Sequence, residues 1–319
     1  MENIAFVTGS SGKIGKELTN LLLKNNFTVV CVGRFINNTE ISLKVVSKKF
    51  PNIFTIDKPL DSWSVYSEDD LIRLISFPKN IKIMTYFFHL AWKGEKTLTD
   101  GGYENQIVNI GTASKYLDLC KKLNIKKFIN AGSIDEIYVK RIIESENYIK
   151  ASEYTHFDYG IAKIATQEIL SFKAYVEKIN FIHTLTSIAI DNKLRSNNFI
   201  ENNIKKILNG LDYDIPNNSE LCNISTCSSI ANNLFQIAVN GENQKTYFTG
   251  NNAIYKLEDY FELISLILKN KKVEIKKYES ESLGILNYED FNLKNKFLHK
   301  KSLDPIANIK NLINSIGLG

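Results

Sequence analysis

Tyr159 and Lys163 open and close the stretch "YGIAK", and their types and spacing suit proton chemistry. On a helix, positions i and i+4 share one face, so phenol and ammonium reach the same ligand. A nearby ammonium favours the phenolate, which predicts a tyrosine able to exchange a proton with a carbonyl or alcohol oxygen near neutral pH. Ser133 closes "FINAGS" upstream. A hydroxyl there, at the carboxyl end of a predicted strand, is placed to bind that same oxygen. The tyrosine–lysine spacing alone recurs by chance in many helices, and Ser133 is what gives it weight.

A second constellation lies near the N-terminus, in "VTGSSGKIG". Gly9, Gly12 and Gly15 follow an apolar strand pattern and precede a helical one. Glycine at these places serves a tight turn, close approach to a pyrophosphate, and helix–strand packing, while the helix N-terminus offers N–H groups to phosphate. The loop residues Ser11, Lys13 and Ile14 join the three glycines as candidate cofactor contacts. The next strand ends in "VVCVGR", with Arg34 where an acidic residue would bond the ribose hydroxyls of NAD. A guanidinium matches a 2′-phosphate in charge and fork geometry. NADP(H) is therefore the expected cofactor, in preference to NAD(H).

These residues need a scaffold, and the patterning supplies one. Strand-like runs at "NIAFVTG", "FTVVCVGR", "NIFTID", "IKIMTYFFHLAW", "KKFINAGS" and "NFIHTLTSIAI" alternate with helical runs at "KELTNLLLKNN", "ENQIVNIGTASKYLDLCKKLN" and "YGIAKIATQEILSFKAYVEKI". Repeated β-α-β units predict an α/β fold, a Rossmann-type doubly wound parallel sheet that binds ligands at the carboxyl ends of its strands. The expected division is a dinucleotide-binding domain over 1–185 and a smaller C-terminal α/β substrate lobe over 186–319, interleaved with the sheet. In that lobe, helices are expected at "FIENNIKKILNG", "SSIANNLFQIAVNG" and "LEDYFELISLILKN", and strands near "CNIST" and "KTYFTG".

Composition narrows the function classes. A hydrophobic share of 44% and a net charge of +5 describe an ordinary globular chain. Lysine pairs flank apolar positions without aromatic interleaving, so nucleic acid is not an expected partner. No apolar run reaches the length of a membrane span. "IAFVTG" starts so close to Met1 that it leaves no room for a signal peptide. Cys31, Cys120, Cys222 and Cys227 are scattered without CxxC pairing or nearby histidines. They read as reduced, mostly buried thiols of a cytoplasmic protein rather than metal ligands.

Together, "TGSSGKIG", "FFHLAWKG", "FINAGS" and "YGIAK" resemble, in order and spacing, the extended short-chain dehydrogenase/reductases. That family contains nucleotide-sugar epimerases, dehydratases and reductases. The likeness is closest to the "HLAW…AGSI" subgroup among bacterial surface-polysaccharide enzymes. It implies a Ser133–Tyr159–Lys163 catalytic set and a cofactor path past Leu90 and Ala91. It also implies a role for Asn109 on the active-site helix, and Asp57 as the acid contacting adenine, with Asp61 a competing choice. His89 reads as a structural histidine. Trp92, Asp135, Ser187 and Asn198 are the candidate substrate contacts.

Three departures matter. "SIDEIY" resembles the acid pair of 4,6-dehydratases, but with Ser133 as the catalytic hydroxyl, Asp135 and Glu136 fall one place out of register. They then read as two exposed loop acids. The Gly-Pro usual after the sixth strand is replaced by "SIAIDNK". The diphosphate-binding arginine of the family is replaced around Cys222, leaving Lys193, Arg195 and Lys205 as available cations. The expectation is an NADP-dependent reductase of a keto group on a nucleotide-linked sugar. A nucleotide-sugar epimerase or 4,6-dehydratase is the alternative, and a non-catalytic dinucleotide-binding protein the competing class. The resemblance further implies a homodimer through the helices of Asn109 and Tyr159; Leu117, Leu119 and Ile164 suit either that interface or packing on the sheet.

Overall fold

The computed structural model describes residues 3–33, 42–46, 55–57, 83–94, 102–146, 156–191, 193–194, 198–214, 221–251, 254–269 and 310–314. In chain order the elements are β1 (Asn3–Thr8), α1 (Lys13–Lys24), β2 (Phe27–Gly33), β3 (Ser42–Val46), β4 (Thr55–Asp57), β5 (Ile83–His89), α2 (Gly102–Lys122), β6 (Lys127–Ala131), α3 (Asp135–Glu144), α4 (Phe157–Val176), β7 (Asn180–Leu185), β8 (Ile188–Ile190), α5 (Phe199–Leu208), β9 (Leu221–Cys222), β10 (Ile224–Thr226), α6 (Cys227–Asn240), β11 (Lys245–Phe248), β12 (Tyr255–Lys256) and α7 (Leu257–Leu268).

The main sheet runs β11-β7-β6-β5-β1-β2-β3-β4. Its first six strands are parallel. Such strands are buried on both faces, which is why they read as continuous apolar runs rather than alternating ones. One face is covered by α1, whose Leu18 and Leu22 pack with Ile230, Ala231 and Leu234 of α6. The other carries α2 and α4 over a core containing Phe6, Phe87, Leu117, Phe128, Leu170 and Phe181.

That second face has a simple internal logic. Phe6, Phe87, Phe128 and Phe181 stand in register across β1, β5, β6 and β7. Their rings stack at centroid separations of 5.7, 5.1 and 6.3 Å. Each pair contributes on the order of 1 kcal/mol beyond simple burial. Side chains on a strand return to the same face every second residue. Two residues on, the same strands therefore present Thr8, His89, Asn130 and His183, again in register. The apolar row holds the helices, and the polar row beside it forms the floor of the sheet's carboxyl edge.

Three sequence expectations are corrected here. "NIFTID" does not continue the parallel series directly. An antiparallel strand, β3, intervenes between β2 and β4. The register Gly33–Ser42–Asp57 places Asp57 at the carboxyl edge two strands beyond β2, while Arg34 and Asp61 lie outside the described residues. "SSIANNLFQIAVNG" and "KTYFTG" leave the small lobe and return to the main layers as α6 and the edge strand β11. Their apolar faces have the sheet and α1 to cover them, which the local pattern alone cannot reveal. Finally, Leu117 and Leu119 are core residues rather than an outer face. The small lobe closes around Ile190, Ile204, Ile207, Ile224, Tyr260 and Phe261 from β8, α5, β10 and α7.

Gly160 fixes how α4 meets α3. A Cβ at this position would lie 2.5 Å from Val139 Cγ2 and 3.1 Å from the Asp135 carbonyl oxygen. Glycine therefore lets the helix bearing Tyr159 approach the helix that begins at Asp135. Overpacking of this kind costs about 1–3 kcal/mol. Gly160→Ala is expected to lower Tm by several degrees in a thermal melt. In that background Val139→Ala should destabilise less than it does in the wild type, because it removes the colliding methyl.

Candidate active site

The glycine loop leaves β1 through Gly9, whose φ of +69° is the left-handed conformation that glycine adopts without strain. Gly9 donates its N–H to Val32 O at 3.0 Å, and Gly12 donates to Gly9 O at 2.9 Å. A Cβ at Gly15 would collide with the Gly9 carbonyl oxygen and come within 2.7 Å of Ser10 Cα. A Cβ at Gly9 would come within 3.0 Å of Ala91 N. The first turn of α1 contains no acidic residue, and its N-cap, Gly12, offers no side chain to its amides. Ser10 Oγ is buried without a hydrogen-bond partner. Bare helix amides, a cradle closed to any Cβ and an orphaned hydroxyl fit a dinucleotide's pyrophosphate. Lys13 points away from this task, bonding Glu201 Oε1 of α5 at 2.7 Å.

Thr8 ties the loop to the turn after β5. Its Oγ1 accepts from Leu90 N at 3.0 Å and Ala91 N at 3.1 Å. With both acceptor sites filled, its O–H donates to His89 Nδ1 at 3.0 Å. His89 is buried against Tyr116 and Phe128. Burial, and secondarily the charge of Lys163, pushes its pKa down to about 3. It is thus a neutral member of the scaffold. Asn109 of α2 clasps the same turn, accepting from Lys93 N and donating to Lys93 O, both at 2.8 Å.

Ser133, Tyr159 and Lys163 meet at this edge. Lys163 Nζ donates to Ala131 O at 2.8 Å and stands 3.8 Å from the centroid of Trp92. Trp92 meets the Tyr159 ring edge-on at 5.8 Å and anchors its own Nε1–H on Gln106 Oε1 at 2.8 Å. It therefore packs as a wall behind the lysine and tyrosine. Ser133 is held from both ends. Its N–H donates to Glu136 Oε1 at 2.8 Å, and its hydroxyl donates to Asp135 Oδ2 at 2.6 Å. Glu136 Oε2 in turn bonds His183 Nε2 at 3.0 Å, and Asn130 Nδ2 donates to His183 Nδ1 at 3.0 Å. Asp135 and Glu136 are consequently not exposed loop acids. They open α3, and Glu136 is wholly buried, directed at Ser133 and His183.

The phenol differs from expectation. Burial first, then the Asp135 carboxylate, raise the Tyr159 pKa well above the ordinary tyrosine value, against the smaller opposing effect of a hydrogen bond with Ser133. Lys163 is itself pushed down to about 8 by burial, with the Glu136 and Asp135 carboxylates opposing. Burial and the neighbouring carboxylates thus favour the protonated phenol at Tyr159.

The remaining candidates separate. Ser187 Oγ and Thr186 Oγ1 are buried without partners just after β7, beside the loop of Ser133. Asn198 is an exposed N-cap of α5, accepting from Glu201 N at 2.8 Å. Sequence reading missed Gln106, His183 and the Lys13–Glu201 pair, because their partners lie far off in the chain.

The profile of the NAD dependent epimerase/dehydratase family matches residues 5–222. The chain belongs to that family. No curated protein matches it in sequence. Among solved structures, the UDP-N-acetylglucosamine 4-epimerase from Methanobrevibacter ruminantium M1, in complex with UDP-N-acetylmuramic acid, is similar with a TM-score of 0.64 at 16% identity, covering 100% of this chain and 98% of that one. The dTDP-glucose 4,6-dehydratase from Bacillus anthracis, in complex with NAD, gives 0.59 at 13% identity over 98% and 97%. RMD from Pseudomonas aeruginosa, complexed with NADPH, gives 0.59 at 14% over 99% and 98%. No described helix of this family member is long and apolar enough to cross a membrane.

The lysine carries a pH-linked prediction. Its folded pKa, about 8, lies below the ordinary 10.5. Between those values the unfolded chain binds the extra proton, so stability rises with pH across that window, by at most about 1.4 kcal/mol per unit. Relative to Lys163→Met, urea unfolding should show the wild type gaining stability from pH 8 to pH 10. Parallel curves for the two proteins would contradict the burial of Lys163.

Proposed function

We propose that the protein is an NADP(H)-dependent oxidoreductase that reduces a keto group on a nucleotide-linked sugar or deoxysugar, in surface-polysaccharide synthesis. The observation that carries this reading is the buried Tyr159 beside Lys163, at the same sheet edge as Ser133 and the glycine cradle. When bound, the dinucleotide supplies the hydride. The chain's residues do the rest. Backbone amides of α1 receive the pyrophosphate, Ser133 holds the carbonyl oxygen, and Tyr159 gives that oxygen its proton. Lys163, anchored on Ala131 O and Trp92, keeps positive charge beside the phenolate that forms. The choice of NADP(H) rests on Arg34 in the sequence. The buried thiols suit a cytoplasmic setting.

A sugar-nucleotide 4-epimerase is the alternative, since the same residues serve hydride removal and return, and solved 4-epimerases share the fold. The 4,6-dehydratase reading has less support. Its carboxylate pair must reach substrate, whereas Glu136 is sealed beneath Ser133. Tyr159→Phe is expected to bind NADPH within about twofold of wild type while losing at least about a hundredfold in turnover. If wild type consumes no NADPH with any nucleoside-diphosphate ketohexose, the non-catalytic reading prevails.

The homodimer belongs to the same proposal, with its surface relocated. Beside the buried Leu117 and Leu119, α2 and α4 expose Tyr103 (66%), Val108 (54%), Phe172 (72%) and Tyr175 (75%). Large apolar side chains exposed on two helices that pack side by side favour a protein contact. Light scattering should show a dimer for wild type and a monomer for Phe172→Glu/Tyr175→Glu.

A further inference from the structure

Lys163 is 4% exposed, and burial of that depth drives an ammonium toward the neutral amine. Its described partners are one carbonyl oxygen, Ala131 O at 2.8 Å, and two aromatic rings, with no carboxylate among them. We propose that Trp92 is a positioning residue for Lys163: its ring face stands in for a counter-ion and holds the ammonium charged beside Tyr159. The inference rests on the reductase reading only where turnover is measured. It gives Trp92 a task other than the substrate contact expected from sequence.

The Lys163 Nζ stands 3.8 Å from the Trp92 ring centroid, against 5.6 Å from that of Tyr159. A cation within about 6 Å of an aromatic face is drawn to the ring's negative centre, most strongly for tryptophan. The attraction grows where water is excluded, and Trp92 is itself 8% exposed. The indole is held in place. Its Nε1–H donates to Gln106 Oε1 on α2 at 2.8 Å, and its ring meets Tyr159 edge-on at an interplanar angle of 87°. The next residue, Lys93, is clasped through both its N–H and its carbonyl by Asn109. The turn after β5 thus delivers the ring, α2 fixes it, and α4 supplies the ammonium.

A ring suits this place better than a carboxylate would. It stabilises positive charge but is no base, so it cannot take the proton it holds. A third carboxylate would also oppose the phenolate that forms when Tyr159 gives its proton, as Asp135 and Glu136 already do. The charged and titratable groups facing Lys163 are His89 from β5, Asp135 and Glu136 from α3, and Tyr159 from α4 itself. His89 is neutral, and burial keeps the Tyr159 phenol protonated. An aliphatic side chain in place of Trp92 keeps the burial and removes the attraction. Lys163 should then lose its proton about one pH unit lower than in the wild type.

The test has two arms. Trp63→Phe leaves Trp92 as the single tryptophan. In that background, without dinucleotide, Trp92 fluorescence should titrate with a midpoint of about 8, and the step should vanish in Lys163→Met. Emission that stays flat from pH 6 to pH 10, or an equal step in Lys163→Met, overturns the pairing without recourse to turnover. With NADPH and a panel of nucleoside-diphosphate 4-ketohexoses, the alkaline limb of kcat should lie about one pH unit lower in Trp92→Leu than in wild type. Trp92→Phe, which keeps a smaller ring, should fall between the two, with KM for the sugar within about twofold of wild type throughout. A raised KM with the alkaline limb unmoved makes Trp92 a substrate contact, which overturns the proposal and leaves the reductase reading standing. No NADPH consumption by wild type overturns the reductase reading, and the fluorescence titration then decides the pairing by itself.

Discussion

The buried bond from Ser133 N–H to Glu136 is the constraint on which the rest of the site depends. A carboxylate with no solvent exposure must find donors on every side, and Glu136 has the Ser133 amide and the His183 imidazole. His183 is in turn set by Asn130, its neighbour across β6 and β7. The loop of Ser133 is therefore fastened to the sheet's polar row rather than left to its own turn geometry. Gly132 is where this fastening passes beneath the backbone. A Cβ there would collide with Glu136 Oε1 and lie 2.5 Å from His183 Nε2.

From that anchor the electrostatics follow. Burial first, and then the Asp135 and Glu136 carboxylates, disfavour a phenolate at Tyr159. Lys163 sits over the Trp92 ring and donates to the Ala131 carbonyl oxygen. The result is a tyrosine suited to give a proton. Asp135, which accepts the Ser133 hydroxyl, also meets the half-exposed His156 at 3.3 Å.

Much of this was legible in sequence because the signals are local. A strand, three spaced glycines and a helix identify the cradle within a few residues, and Tyr159 and Lys163 meet by helical period alone. The parallel sheet followed from alternating apolar runs. What escaped depends on contacts across long separations. Glu136 looks like a loop acid until His183 is placed beside it, and Lys13 looks like a phosphate ligand until Glu201 of α5 reaches it. β3 was missed because its insertion antiparallel to β2 follows from no periodicity. α6 and β11 join the main layers, which their local pattern cannot assign because their apolar faces match either core. Asn198 was singled out as a substrate contact, yet its side chain caps a helix.

Net hydride transfer to a keto sugar is the central claim, and isotope tracing tests it most directly. NADPH carrying deuterium at the transferring carbon would be incubated with the protein and a nucleoside-diphosphate 4-ketohexose, and the sugar followed by NMR. The account predicts deuterium at the former carbonyl carbon, in step with accumulation of NADP+. A sugar that changes configuration with no net oxidation of cofactor, or that gains no deuterium at all, would contradict it.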